Sequence, residues 1–251
     1  MESVKQLDRR MWLMRMSSGA VAVWSQVAFG LGKTGWRVAM GGSALAAKFA
    51  AAQDQSPVDV LRVMTSYVNS YVLVRGKEAI IVDTGIPNSG SKFAEVVSKA
   101  GLAASNVRHL ILTHKHPDHI GSLDEVTAWA SSATVYAGAA DIPNINTKQS
   151  IRPVGEGDQV AGLHIIATPG HTAGHISVHD PVSSLVVVGD AANNHNHQLS
   201  GPNPMYTTNM PEALQSLKKL AHSRFERAYF GHGEPITAGA DKAFAALAQK
   251  L

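Results

Sequence analysis

The sequence predicts an α/β protein with mixed β-sheets covered by helices. Three observations carry this. Short β-branched apolar runs alternate with helical patterns along most of the chain. Two of the early runs are separated by a three-residue turn, a hairpin that an all-parallel sheet would not contain. Several runs end on a histidine or aspartate beside a glycine. Polar groups at strand ends collect where α/β folds build their sites.

The elements follow in order. Residues 53–57 read as a linker, and the folded domain as residues 53–251, its first ordered stretch near Val58. Residues 68–74 and 79–82 are strands, rich in β-branched and aromatic residues, joined through Arg75-Gly76-Lys77. The second ends in Asp83-Thr84-Gly85. A helix over 91–100 has Phe93, Val96 and Val97 on one face. Residues 107–112 form a continuously apolar, buried strand. A helix over 123–130 and a strand over 133–137 follow, then a mostly irregular stretch, 141–158. Residues 163–167 are a strand running into Thr168-Pro169-Gly170-His171; residues 176–179 are extended; 185–188 are apolar and lead to Gly189-Asp190. Residues 190–206 read as a long polar loop. A helix over 211–222 has Pro211 in its first turn. Residues 228–230 lead to Gly231-His232, and a helix over 240–251 closes the chain.

Bulk properties exclude several functions. At 251 residues the chain can bury a full core. With 45% hydrophobic and 16% charged residues it has a globular composition. A formal charge of +3, without clustered Lys and Arg, gives no nucleic-acid-binding surface. The absence of cysteine removes disulfides, thiolate zinc sites and a cysteine nucleophile. There is no Gly-x-Gly-x-x-Gly opening a helix, no phosphate-cradling Walker loop and no Gly-x-Ser-x-Gly elbow.

Residues 1–52 differ from the rest. Residues 11–52 contain no acidic residue and are dense in Ala, Gly, Ser, Val and Met, after the pair Arg9-Arg10. The segment resembles a twin-arginine export signal, although Asp8 stands where Ser or Thr is usual and Gln26, Lys33 and Arg37 interrupt the apolar stretch. The expectation is an exported, periplasmic or extracellular protein that meets export or targeting machinery. An organellar transit peptide, a pair of helices packed on the domain and a disordered extension are the alternatives, with a cytoplasmic or organellar location. No run approaches the roughly 20 apolar residues of a membrane span.

The chemistry concentrates in His114-Lys115-His116-Pro117-Asp118-His119, at the end of the 107–112 strand. Four metal-competent side chains in six positions look like half of a metal centre. Extended chain would place His114 and His116 on one side and Lys115 on the other. Asp118 and His119 are adjacent, so the chain must bend beyond Pro117 for both to face one ion.

This His-x-His-x-Asp-His motif, with Gly170-His171, Gly189-Asp190 and Gly231-His232 after it in that order, resembles the metallo-β-lactamase superfamily. The resemblance runs from about Val58 to the C-terminus and is strongest to the dinuclear hydrolase branch of hydroxyacylglutathione hydrolases and lactonases. It implies an αβ/βα sandwich of two mixed sheets flanked by helices. It implies two divalent metal ions: His114, His116 and His171 on one, Asp118, His119 and His232 on the other, and Asp190 bridging. Imidazole and carboxylate donors suit Zn²⁺, the default, and also Fe or Mn. Asp118 would orient a hydroxide and move its proton. Asp83 would orient a ligand or loop. His195, His197 and Tyr206 are candidates for touching a small-molecule substrate, and His175 for local hydrogen bonding.

The expected activity is hydrolysis of an ester or lactone. Acylglutathione-like thioesters, β-lactams and phosphodiesters are alternatives, as are a mononuclear iron sulfur dioxygenase and a non-catalytic metal-binding scaffold. Only 19 residues follow His232, too few for the helical extension usual in glutathione thioesterases.

Overall fold

A computed structural model describes residues 56–251. The expectations for residues 1–52 lie outside the described residues. Among those described, no helix is long and apolar enough to cross a membrane.

Two mixed sheets stack face to face. The first is built from β1 (Asp59–Thr65), β2 (Val68–Arg75), β3 (Glu78–Val82), β4 (Val107–Leu112), β5 (Thr134–Gly138) and β6 (Ile151–Val154), in spatial order 1-2-3-4-5-6. Helices α1 (Gly90–Lys99), α2 (Pro117–Ile120) and α3 (Leu123–Trp129) lie among these strands in sequence. The second sheet has the order β13-β10-β9-β8-β7, from β7 (Gln159–Val160), β8 (Leu163–Ala167), β9 (Ile176–Asp180), β10 (Leu185–Gly189) and β13 (Arg227–Phe230). A small hairpin, β11 (Asn193–His195) and β12 (Gln198–Ser200), precedes α4 (Met210–Ala221), and α5 (Ala240–Ala248) follows β13.

The alternation of side chains along strands explains the layering. Tyr71, Leu73, Ile80, Val82 and Ile111 face Leu163, Ile165, Val178, Leu185 and Val187 between the sheets. The intervening Val72, Ile81, Leu110 and Leu112 pack outward with Phe93 and Val97 of α1 and Val126 of α3. On the other side Val186, Val188 and Phe230 meet Leu217 and Leu220 of α4 and Phe244 of α5. These strands are apolar on both faces because both faces are covered. The result is the helix–sheet–sheet–helix sandwich expected.

The structure adds to or departs from the sequence reading at several elements, α2 and β7 among them. β1 was not anticipated: its edge position leaves Asp59 and Met64 exposed, which breaks the apolar run. β6 falls inside the stretch read as irregular, and its Pro153 is tolerated because β6 is an edge strand. The 190–206 loop contains the β11–β12 hairpin, closed by Asn196 and His197 at φ of 51° and 59°. These are the left-handed values a two-residue turn needs, here without glycine. The last helix ends at Ala248, short of the chain end.

Strand direction places the site. β3 and β4 run parallel, as do β10 and β13, and β8 is parallel to β10 because each pairs antiparallel with β9. The carboxyl ends of these strands therefore open on one edge of each sheet. Asp83, the 114–119 motif, His171, Asp190 and His232 all follow those ends.

Candidate metal centre

β4 ends at Leu112, and the chain then runs through His114 to His116 without regular structure. Pro117 takes the first position of α2, where its missing N–H costs no helical hydrogen bond. The turn into α2 is the bend that adjacent Asp118 and His119 require.

Seven side chains converge. The ligand atoms of His114, His116 and His171 lie within 4.8 Å of one another, as do those of His114, His119 and Asp190, and those of Asp118, His119 and His232. The Nδ1 of His116 is 3.0 Å from Nε2 of both His114 and His171. Asp190 sits between the two halves: Oδ1 is 3.3 Å from His119 Nε2, while Oδ2 is 3.3 Å from His232 Nε2 and 3.5 Å from His171 Nε2.

The surroundings assign the tautomers. Thr113 donates its hydroxyl proton to Asp83 Oδ2 (2.7 Å), so its oxygen accepts from His114 Nδ1 (3.1 Å). Thr207 donates to the Asn203 carbonyl (2.7 Å) and accepts from His171 Nδ1 (3.1 Å). His119 Nδ1 donates to Asp83 Oδ2 (2.8 Å), and His232 Nδ1 donates to the Tyr67 carbonyl (3.1 Å). In each case Nδ1 keeps its proton and Nε2 is the nitrogen turned to the centre. Its lone pair is free in neutral His114 and His171, and available in His119 and His232 once a cation displaces the second proton.

These donors fit metal ions. His119 Nε2 and Asp190 Oδ1 are buried without a hydrogen-bond partner, facing each other. Buried polar atoms are rarely left so. His116 Nδ1 stands 3.0 Å from two Nε2 atoms whose rings keep their protons on Nδ1, so all three nitrogens can turn lone pairs to one ion.

Charge divides the centre unevenly. Burial, reinforced by neighbouring His119, pushes His114 well below its ordinary value. Burial likewise takes His171 down to about 4 against the pull of Asp190. For His119 burial is overcome by the Asp190 and Asp83 carboxylates, which hold it well above the usual range. His232 rises to about 9 despite burial, through its bonds to Asp118 and Asp190. Burial works to raise Asp190, but His119 and His232 hold it well below the carboxylate range.

His175 is a fully buried, neutral organiser. Burial and His171 take it down to about 3. Its Nε2 accepts the Asp190 N–H (3.0 Å). Its Nδ1 donates to Thr168 (2.8 Å), which donates to Ser177 (3.0 Å), which donates to the Val188 carbonyl (2.9 Å). Four histidines are engaged elsewhere: His109 with Glu78 and Tyr136, His164 with the His179 ring, His179 also with the Arg224 carbonyl, and His222 with the Lys218 carbonyl.

A cavity of about 510 Å³ opens over the ligands. Its floor includes His116, Asp118, Asp190 and His232; its walls include Tyr67, Pro117, Asn193, His195, Asn203 and Tyr206. His195 and Tyr206, anticipated as substrate-facing, line it. His197 does not: it occupies the hairpin turn, on the side of Glu234. Tyr67 was missed. It is 64% exposed, and its ring stacks on His232 at 5.9 Å and 10°. It lies at the tip of the β1–β2 hairpin, which went unseen because β1 did. Among the described residues lining the cavity there is no lysine or arginine.

Three comparisons with known proteins complete the picture. The chain is 29% identical over 175 residues to the Beta-lactamase-like protein 2 homolog of Caenorhabditis elegans, covering 67% of this chain and 56% of that protein. It is 27% identical over 203 residues to the probable metallo-hydrolase YflN of Bacillus subtilis, covering 63% and 76%. The chain thus spans little more than half the length of the nematode relative. It shares the fold of TTHA1623, solved in a di-iron-bound form, with a TM-score of 0.63 at 24% identity over 77% of this chain and 100% of that one. Residues 64–232, which hold all seven converging side chains, match the Metallo-beta-lactamase superfamily, and the chain belongs to that family.

Proposed function

We propose that this protein is a metal-dependent hydrolase that cleaves an uncharged carboxylic ester or lactone. His114, His116 and His171 would hold one divalent cation, Asp118, His119 and His232 a second, and Asp190 would bridge them. Zn²⁺ is the cation proposed, the imidazole and carboxylate donors being able to take Fe or Mn as well. When bound, such ions supply a water-derived nucleophile at neutral pH and polarise a carbonyl.

The protein's own groups complete the reaction. Burial favours a protonated Asp118, but its bond to His232 and neighbouring His119 hold it ionised below the usual carboxylate value. It is thus present as a carboxylate at the cavity floor, placed to take the proton lost as water adds to the carbonyl. The Asn193 and Asn203 amides offer neutral hydrogen bonds to a substrate, and Tyr67, Pro117 and Tyr206 offer apolar surface.

The observation that carries the substrate class is a lining that, among the described residues, has no lysine or arginine. Arg62, which reaches the Gly233 carbonyl beside His232, is spent on Glu234 at 2.6 Å and Asn69 at 2.8 Å. Acylglutathiones, β-lactams and phosphodiesters carry anionic groups that such a wall does not anchor. A neutral ester or lactone needs no such anchor.

The test is a panel of a lactone, an aryl ester, an acylglutathione, a β-lactam and a phosphodiester, with the full chain loaded in turn with Zn²⁺, Mn²⁺ and Fe²⁺. The ester or lactone should show the highest kcat/KM. A higher value for any anionic substrate overturns the substrate class. Absence of turnover with every metal overturns the hydrolase reading.

A further inference from the structure

Asp141 is a fully buried carboxylate outside the ligand set, just beyond β5. Its Oδ2 accepts the Lys115 N–H at 3.0 Å and the Thr172 hydroxyl at 2.6 Å, and its Oδ1 accepts the Gly174 N–H at 2.8 Å. Lys115 lies between His114 and His116, and Thr172 follows His171. Each histidine of the first group is therefore one residue from a bond to this one side chain. The bonds join two segments 55 positions apart in sequence, those that must meet for His116 Nδ1 and His171 Nε2 to stand at 3.0 Å.

The packing around it is exacting. A Cβ on Gly138 would lie 1.9 Å from the Gly174 carbonyl oxygen, and one on Gly174 would lie 2.4 Å from the Asp141 backbone nitrogen. Glycine at both positions lets the 138–141 and 171–175 segments approach closely enough for the three bonds to form. All three bonds come from neutral donors, and no lysine or arginine pairs with Asp141 among the described residues. A buried anion is costly without a compensating charge. A cation held by the adjacent histidines would provide one.

We propose that Asp141 is a positioning residue specific to the first metal. It holds the His114–His116 loop against His171 and adds a negative charge behind them. It has no comparable link to Asp118, His119 or His232; His119 is held by Asp83, and His232 by the Tyr67 carbonyl. The inference rests on the reading of His114, His116 and His171 as a metal site and goes beyond it by assigning an outer residue to one of two ions.

Site-resolved metal binding tests it. The full chain is titrated with Co²⁺, with visible absorption and chelator competition as readouts. His116→Ala and His232→Ala mark the spectrum of each site. Asp141→Asn should weaken the first site by about 10–100-fold, the usual effect of an outer-shell partner, and move the second by less than about 3-fold. Asp141→Asn replaces one accepting oxygen with an NH2 that can only donate, toward groups that themselves donate, so Thr172→Val serves as the milder variant if the first fails to fold. It should show a smaller loss at the same site. Equal weakening of both sites, or of neither, overturns the role of Asp141. Failure of the unsubstituted protein to bind Co²⁺ with ligand-field absorption overturns the metal site itself, whatever Asp141 does.

Discussion

The Asp83 carboxylate grips His119 Nδ1 at 2.8 Å and, with the same side chain, the Thr113 N–H and hydroxyl, each at 2.7 Å. One residue thus orients the imidazole of one proposed ion and, through Thr113, the His114 ring of the other. Asp83 itself stands at φ 62°, a conformation unusual for a residue with a Cβ. Asp83→Ala should weaken the second metal by about 10–100-fold. It should also lower metal-free stability by about 1–3 kcal/mol, because buried donors lose their acceptor. Chelator competition and urea denaturation measure the two effects. Unchanged metal affinity would show that His119 is held by packing alone.

Without metal, the histidines should give the domain a stability maximum near pH 6.5. His171 at about 4 and His175 at about 3 have folded values depressed by burial. Below the unfolded value of 6.5 the unfolded chain binds more protons at these sites, so stability falls with falling pH. His232 at about 9, and His119, are raised by carboxylates against burial. The His232 contribution is complete below 6.5 and is lost as pH rises toward about 9, and that of His119 is lost in the same direction. Urea midpoints of chelator-treated protein from pH 4 to 10 should trace a peak. A midpoint rising monotonically from pH 6.5 to 9 would contradict the assigned protonation of His232. Metal loading should flatten the alkaline limb, since bound ions displace those protons.

Gly231 has a steric role that its place before His232 only hints at. A Cβ there would lie 2.1 Å from Asp190 Oδ1 and 2.6 Å from His119 Cε1. Neither atom can retreat cheaply, because both side chains are buried. Gly231→Ala should therefore push Asp190 from its place between the two halves. The expected result is loss of at least one bound metal by elemental analysis, with metal-free stability lowered by about 1–3 kcal/mol. Full occupancy by two metals in this variant would show that the Asp190 carboxylate is not required where it stands.

What was legible in the sequence divides along physical lines. Strands buried on both faces, such as 107–112 and 185–188, announce themselves by unbroken apolar runs, and their ends then point to His114, Asp190 and the rest. Edge strands do not: β1 exposes Met64, β6 contains Pro153, and so the hairpin tip carrying Tyr67 was invisible. Asp141 escaped for a different reason. Its acceptors reach Lys115, Thr172 and Gly174, groups distant in sequence, and no local pattern separates a buried aspartate from a solvated one in a loop. His195 and His197 looked equivalent because their spacing from Asp190 is similar. The two-residue turn sends one into the cavity wall and the other toward Glu234.

The exposed tyrosines should tune substrate affinity rather than chemistry. Tyr67 and Tyr206 are 64% and 61% exposed at the cavity wall, an aromatic surface free to be covered by an apolar substituent. Tyr206→Ala should raise KM for an ester with a long acyl chain more than for its acetyl analogue, with kcat little changed. Equal changes in KM for the two chain lengths would mean that the acyl chain leaves the cavity by another route.

Asp118 is the residue whose chemistry and structure are most separable. It is about one fifth exposed, with Oδ2 at 3.5 Å from His232 Nε2 and 4.0 Å from His119 Nε2. Asp118→Asn keeps the shape and a carbonyl oxygen able to face the same ion, but removes the proton acceptor. Turnover should fall by about 10²–10⁴-fold, the usual worth of a positioned acid–base group. Metal-free stability should change far less, because the substitution fills the same volume and leaves both sheets and their cores untouched. Turnover and urea denaturation on one preparation, with metal content checked by elemental analysis, separate the alternatives. Loss of turnover in step with loss of the second metal would make Asp118 a ligand only. Loss with both metals retained would identify it as the group that handles the proton.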